Sequence, residues 1–125
     1  LACAAGIAVI DEILEKGLVA RARMLGDYLR KKLEGLKDLG VIREVRGKGV
    51  FLGMEFVRDT STNKPFPELG KALKETALRN GLIMRIDPTW CAVCPALIAG
   101  ESDMDELADL IRKSIKDALE IVGKH

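Results

Sequence analysis

Apolar side chains recur at helical spacing toward both ends of the chain and alternate with polar ones in its middle, a pattern that predicts helices around short strands. Ile7, Ile10 and Leu14 lie three or four residues apart until Lys16-Gly17 supplies a cation and a breaker, ending a first helix. Ala2, Ala5, Ile7, Val9 and Ile10 make that helix apolar on several sides. Leu18, Ala22, Leu25, Leu29, Leu33 and Leu36 then form a single stripe, with Arg and Lys on the other faces, until Asp38 and Gly40 stop it.

After Gly40 the period changes. Residues 41–46 and 50–57 are β-rich runs separated by Gly47-Lys48-Gly49, which predicts a hairpin. In the second run Val50, Leu52, Met54 and Phe56 share one face, while Phe51, Gly53 and Glu55 share the other, so one face is core and the other partly polar. The stretch from Asp59 to Phe66 reads as a loop, Pro67 opens a third helix, and Asn80-Gly81 closes it. Residues 82–86 read as a third strand, Asp87-Pro88-Thr89 as a turn, and 90–94 as a short fourth strand. Ser102, three residues before Asp105, resembles a capping box, and Leu107, Ile111, Ile115, Ala118 and Val122 carry a last helix to Gly123. The expected fold is α+β: a small, mainly antiparallel sheet covered by helices on one face.

Composition narrows the classes. With 125 residues, 48% of them hydrophobic and 4% aromatic, residues 1–125 make one domain with one core. Twenty basic against nineteen acidic residues, without a Lys/Arg block, argue against nucleic acid. The longest apolar run is interrupted by Asp11 and Glu12, too early to span a bilayer, and it lacks the basic flank of a signal peptide. Three cysteines, an odd number, fit a reducing cytoplasm better than a disulfide scaffold. The chain opens on Leu1 inside an apolar helical pattern, without a cap, and so reads as part of a longer protein.

Among candidate chemical groups, Arg85 places one cation beside a buried strand, where a guanidinium is suited to gripping a carboxylate. Arg46, next to Gly47, reads as the partner of an acid or of nearby carbonyls. Gly47, Gly49 and Gly53 lack the following helix of a phosphate cradle and read as turn and close-packing glycines. The competing signal is Trp90-Cys-Ala-Val-Cys94, the spacing of a redox dithiol, which needs its first cysteine at a helix N-terminus. Val93 and Pro95 instead suit an extended strand, in which residues three apart face opposite sides. Their Cα atoms are then about 10 Å apart, beyond the roughly 7 Å that a disulfide spans. Cys3 is distant in sequence and His125 terminal, so no metal site is expected. Asp103, Asp105, Glu106 and Asp109 fall in the first turns of the last helix, where they complement its dipole and are expected to face water.

Taken in order, Leu-Ala-Cys-Ala-Ala-Gly at the start, Val45-Arg-Gly-Lys-Gly-Val-Phe-Leu-Gly-Met-Glu55, Gly81-Leu-Ile-Met-Arg85, Cys94-Pro-Ala-Leu-Ile98 and the Ser-Asp-Met-Asp-Glu-Leu helix resemble the C-terminal small domain of class III pyridoxal-phosphate aminotransferases over residues 1–122. The resemblance implies a fold-type-I homodimer moving an amino group between an ω-amino acid or amine and a keto acid. It also implies that the Schiff-base lysine, the aspartate on the pyridine nitrogen and most phosphate contacts lie upstream, so no catalytic and no cofactor-binding residue is expected in this segment. Residues 1–17 would connect to that large domain, and the segment alone would be inactive. Arg85 matches the arginine that closes over the substrate carboxylate in ω-amino-acid transaminases and diaminopelargonate synthases, with Phe51 and Trp90 lining the pocket if their faces turn toward it. The sequence departs from the family at Pro95-Ala96, usually two prolines, and in the cysteines of 90–94. The rivals from other classes are a thiol-disulfide domain built on Trp90-Cys-Ala-Val-Cys94 and a non-catalytic interaction module.

Overall fold

Short strands rich in β-branched and aromatic residues bury one face only if something covers it, and the amphipathic helices do so here. A computed structural model describes residues 1–123 as four α-helices, a 3-10 turn and one four-stranded sheet. Helices α2 (Leu18–Glu34) and α3 (Pro67–Arg79) lie against the sheet, and α4 (Glu101–Ile121) packs on both. Helix α1 (Ala2–Glu15) packs chiefly on α2 and has no buried residue.

Strands β1 (Ile42–Lys48), β2 (Phe51–Phe56), β3 (Arg85–Asp87) and β4 (Trp90–Val93) are arranged β1-β2-β4-β3, with every neighbouring pair antiparallel. Directly paired residues share a face. Leu52 opposite Val93, Met54 opposite Cys91 and Ile86 opposite Cys91 therefore form the helix side of the sheet. That side merges with Leu25, Leu29, Leu33, Leu69, Leu73, Ile111 and Ile115 into one core. The alternation expected for 50–56 holds: Val50, Leu52, Met54 and Phe56 are buried, while Phe51, Gly53 and Glu55 are not.

Several local expectations are corrected. Strand β1 continues through Gly47-Lys48, and Lys48 pairs with Phe51, leaving Gly49-Val50 as a two-residue turn. Its first central residue, Gly49, has φ 54°, a conformation that favours glycine in such turns. Strand β3 spans three residues rather than 82–86 because Leu82 is already committed to closing α3. Its N–H donates to the Ala77 carbonyl at 2.8 Å and that of Gly81 to Leu78 at 3.0 Å, the paired bonds of a Schellman end. Strand β4 stops at Val93, one residue short of the expected end. Ser102 does not cap α4; Gly100 does, donating its N–H to Asp103 Oδ2 at 2.7 Å. Asp105 does not simply face water. It accepts a bond from Tyr28 Oη at 2.8 Å and pairs with Lys32 Nζ at 2.9 Å, joining α4 to α2.

Two backbone contacts hold the sheet's turns in place. A Cβ on Gly26 of α2 would overlap the Gly49 carbonyl group and lie 2.7 Å from its Cα, so the hairpin turn rests on the helix backbone. A Cβ on Gly70 of α3 would lie 2.6 Å from the Asp87 carbonyl oxygen, so the β3–β4 turn is seated in the same way. Between α3 and α4, the buried Thr76 hydroxyl donates to the Ser114 carbonyl at 2.8 Å, and Asn80 Nδ2 donates to Ser114 Oγ at 3.1 Å. Arg112 grips both carboxylate oxygens of Asp38 at 2.9 Å and the Gly35 carbonyl at 3.0 Å, tying α4 to the 3-10 turn Gly35–Leu39.

Adding a methyl group at the α2–hairpin contact forces the backbones apart. Gly26→Ala is therefore expected to lower stability by about 1–3 kcal/mol in urea unfolding, the usual cost of overpacking. Gly6→Ala, where a Cβ meets nothing within 4 Å, is expected to cause no loss. The bonds from Lys32 and then Tyr28 hold the Asp105 carboxyl below its ordinary value. A carboxyl depressed on folding contributes stability above its unfolded value and loses it as pH falls through the folded one. Asp105→Asn should thus be less stable than the parent at pH 7 and converge with it in acid, measured by unfolding at both pH values.

Candidate functional site

With helices on one face, the other face of the sheet presents a different set of side chains. Arg46 lies opposite Gly53, Gly53 and Arg85 opposite Ala92, and Glu55 and Asp87 opposite Trp90, so these residues share that open side. Gly53 and Ala92 are small and make a low floor between Phe51, 62% exposed, and Trp90, 39% exposed. A shallow cavity of about 330 Å³ opens there, lined by Arg46, Phe51, Gly53, Trp90 and Ala92. A second, of about 470 Å³, adjoins it through Phe51 and Ala92 and is lined also by Met84, Arg85, Val93 and Cys94. The faces of Phe51 and Trp90 thus turn to the same side as Arg85, as a shared pocket requires.

Arg85 stands at the edge strand with its side chain 71% exposed. Its Nε donates to Asp87 Oδ2 at 3.0 Å, and the guanidinium carbon lies 5.7 Å from the Trp90 ring centroid. The other arginines of this face are also paired: Arg46 Nη1 with Glu44 at 3.3 Å, and Arg43 Nη1 with Glu55 at 3.3 Å. Arg85 differs in its neighbours, since it borders the apolar walls made by Phe51, Ile83 and Met84. Asp87 was not among the residues singled out by sequence, where Asp87-Pro88 reads as the start of a turn. The available signal was that residues 85 and 87 share a face once a strand begins at Arg85.

A larger cavity, of about 600 Å³, lies between α2 and the hairpin turn and is lined by Arg23, Asp27, Arg30 and Lys48 beside apolar residues. Its Arg30 is engaged with the carbonyls of Val45, at 3.0 Å, and Gly47, at 2.6 Å.

The cysteines fall where a strand places them. Cys91 is buried in β4 on the core side, and burial pushes its thiol up to about 12. Cys94 lies just beyond the strand and is exposed, as is Cys3; all three are free. A reactive dithiol needs a depressed thiol at a helix start, and Cys91 has the opposite environment. Among the described residues no group of three or more His, Cys, Asp or Glu is placed to hold a metal, and His125 lies outside them. No described helix is long and apolar enough to cross a membrane. Neither cavity of the open face is lined by a lysine or by the first turn of a helix. These two cavities alone therefore do not fit a phosphate-bearing cofactor that is held through a lysine.

The aminotransferase class-III family model matches residues 1–115. The chain is 37% identical over 123 residues to a taurine–pyruvate aminotransferase of Bilophila wadsworthia, covering 89% of this chain and 26% of that protein. It is 34% identical over 122 residues to a leucine/methionine racemase of Thermococcus litoralis, covering 96% and 28%. A crystal structure of a thermostable (S)-enantioselective omega-transaminase from Thermomicrobium roseum superimposes with a TM-score of 0.89 at 31% identity, over 94% of this chain and 27% of that one. The chain spans about a quarter of the length of these relatives.

The contrast between the cysteines is directly measurable. In the folded chain, iodoacetamide should modify Cys3 and Cys94 within minutes and leave Cys91 intact, and oxidation should not join Cys91 to Cys94. Peptide mass spectrometry checks both, and a 91–94 disulfide would restore the redox reading.

Proposed function

The chain belongs to the class III aminotransferases, and from that premise we propose that it forms the C-terminal small domain of a pyridoxal-phosphate enzyme that transfers an amino group from an ω-amino acid or amine to a keto acid. The observation that carries the assignment of substrate class is the placement of the Arg85 guanidinium on the open sheet face, over the Trp90 ring and beside an apolar cavity that Phe51 also lines. Pyridoxal phosphate, held by the large domain, supplies the electron sink when bound. In this reading the segment provides substrate recognition, from the two open-face cavities whose lining contains no lysine.

Recognition follows from the side chains present. A substrate carboxylate entering beside Arg85 meets a planar donor able to make two parallel bonds, which fixes orientation as well as position. Phe51 and Trp90 offer apolar surface on the same face, and the small floor of Gly53 and Ala92 leaves room for an aliphatic chain. The charge-assisted bond gains strength as water is excluded.

Helix α1 leads toward the large domain in this reading. Its exposed Ile7, Val9, Ile10 and Leu14 support that placement, because a helix with several apolar sides and no buried residue needs a covering partner. The family resemblance supports a homodimer, and three free cysteines support a cytoplasmic enzyme.

The test is Arg85→Ala in the whole protein. Removing one partner of a desolvated charge pair costs about 2–5 kcal/mol. kcat/KM for an ω-amino acid should therefore fall about thirty-fold or more. The matching amine without the carboxyl group should be largely spared. Equal losses for both substrates would assign Arg85 to the fold, and no loss for either would make it a solvated bystander.

A further inference from the structure

We propose that Asp87 is the resident counter-ion of Arg85: a positioning residue that holds the guanidinium when the substrate brings no carboxylate and releases it when one arrives. The pair would thereby set the balance between carboxylate-bearing and uncharged donors. This rests on the reading of Arg85 as the carboxylate binder.

Three observations carry it. Arg85 and Asp87 lie on the same face of β3, their side chains 3.0 Å apart, and Asp87 is paired in register with Trp90, over whose ring the guanidinium sits. The guanidinium is thus held on one side by a carboxylate and on the other by an aromatic face, both within the chain. Second, the two partners differ in freedom. The Asp87 carbonyl is seated against Gly70 of α3 and its side chain is one-third exposed, whereas the long Arg85 side chain is 71% exposed. Exchange of partners therefore moves the arginine and leaves the aspartate in place. Third, the neighbouring acids are engaged elsewhere, Glu44 with Arg46 and Glu55 with Arg43. Asp87 is the acid that the structure gives to Arg85.

The magnitudes fit an exchange rather than a lock. An exposed ion pair favours its partners by about fivefold or less. A carboxylate gripped in a partly dry cavity gains more than that and displaces Asp87. An uncharged amine offers nothing in exchange, and an unpaired guanidinium beside Phe51, Ile83 and Met84 would oppose its apolar chain. Held by Asp87 and Trp90, the cation is neutralised at the rim.

The experiment uses the full-length holoenzyme. An ω-amino acid, its decarboxylated amine and an unreactive alkanoate inhibitor of equal length are compared in wild type, Asp87→Asn, Asp87→Glu, Arg85→Ala and the Asp87→Asn/Arg85→Ala double variant. Asp87→Asn should lower KM for the ω-amino acid and Ki for the alkanoate about threefold to fivefold with kcat unchanged, and raise KM for the amine by a similar factor. Asp87→Glu should restore the wild-type ratio, and in the Arg85→Ala background Asp87→Asn should leave the ratio unmoved. If Arg85→Ala is selective but Asp87→Asn does not shift the ratio, the counter-ion role is wrong and the carboxylate role of Arg85 stands. If Arg85→Ala acts equally on both substrates, the underlying reading fails. A ratio shift from Asp87→Asn that persists without Arg85, or that Asp87→Glu does not reverse, would also overturn the proposal.

Discussion

An antiparallel sheet has two faces, and this chain supplies helices for only one of them. That asymmetry governs the rest of the structure. Leu52, Met54, Ile86, Cys91 and Val93 point to the helices and join a single core, so the alternate positions must point the other way. On a sheet that simply faced solvent those positions would be polar. Here they include Phe51 and Trp90 next to three arginines, a mixture suited to holding an amphipathic small molecule.

The open face is only as well defined as the turns that frame it, and both turns are seated by the absence of a side chain. Gly26 lets α2 approach the hairpin turn at Gly49, and Gly70 lets α3 approach the β3–β4 turn at Asp87 and Pro88. The covered side thereby transmits its rigidity to the open side. Arg85, Asp87 and Trp90 belong to one short antiparallel pair whose turn rests on a helix, while their side chains stay at the surface. A rigid backbone thus carries a long, exposed arginine.

Charges and thiols follow the same division. Cys91, on the core side, has burial raising its thiol far above neutral pH, which removes it from redox chemistry despite the suggestive spacing. On the open side the arginines are matched with acids at 3.0 to 3.3 Å, close enough to order them and too exposed to hold them tightly.

Much of this was determined by the sequence alone. The period-two alternation of Leu52, Met54 and Phe56 against Phe51, Gly53 and Glu55 assigns faces without reference to any partner, and the leucine stripe from Leu18 to Leu36 identifies the covering helix. The family was legible because its motifs keep both order and spacing across nearly the whole chain. What sequence could not decide were the places where local preferences compete for the same backbone or side-chain groups. Leu82 looked like strand, but its N–H closes α3. Ser102 looked like a cap, but the bond at the start of α4 joins Gly100 and Asp103. Asp105 looked solvated until α2 brought Tyr28 and Lys32 to it. Asp87 looked like a turn residue until the shortened β3 put it on the face of Arg85. Face and period are properties of spacing, which a sequence contains; the partner a group takes depends on which element arrives beside it, and only the packed tertiary structure decides that.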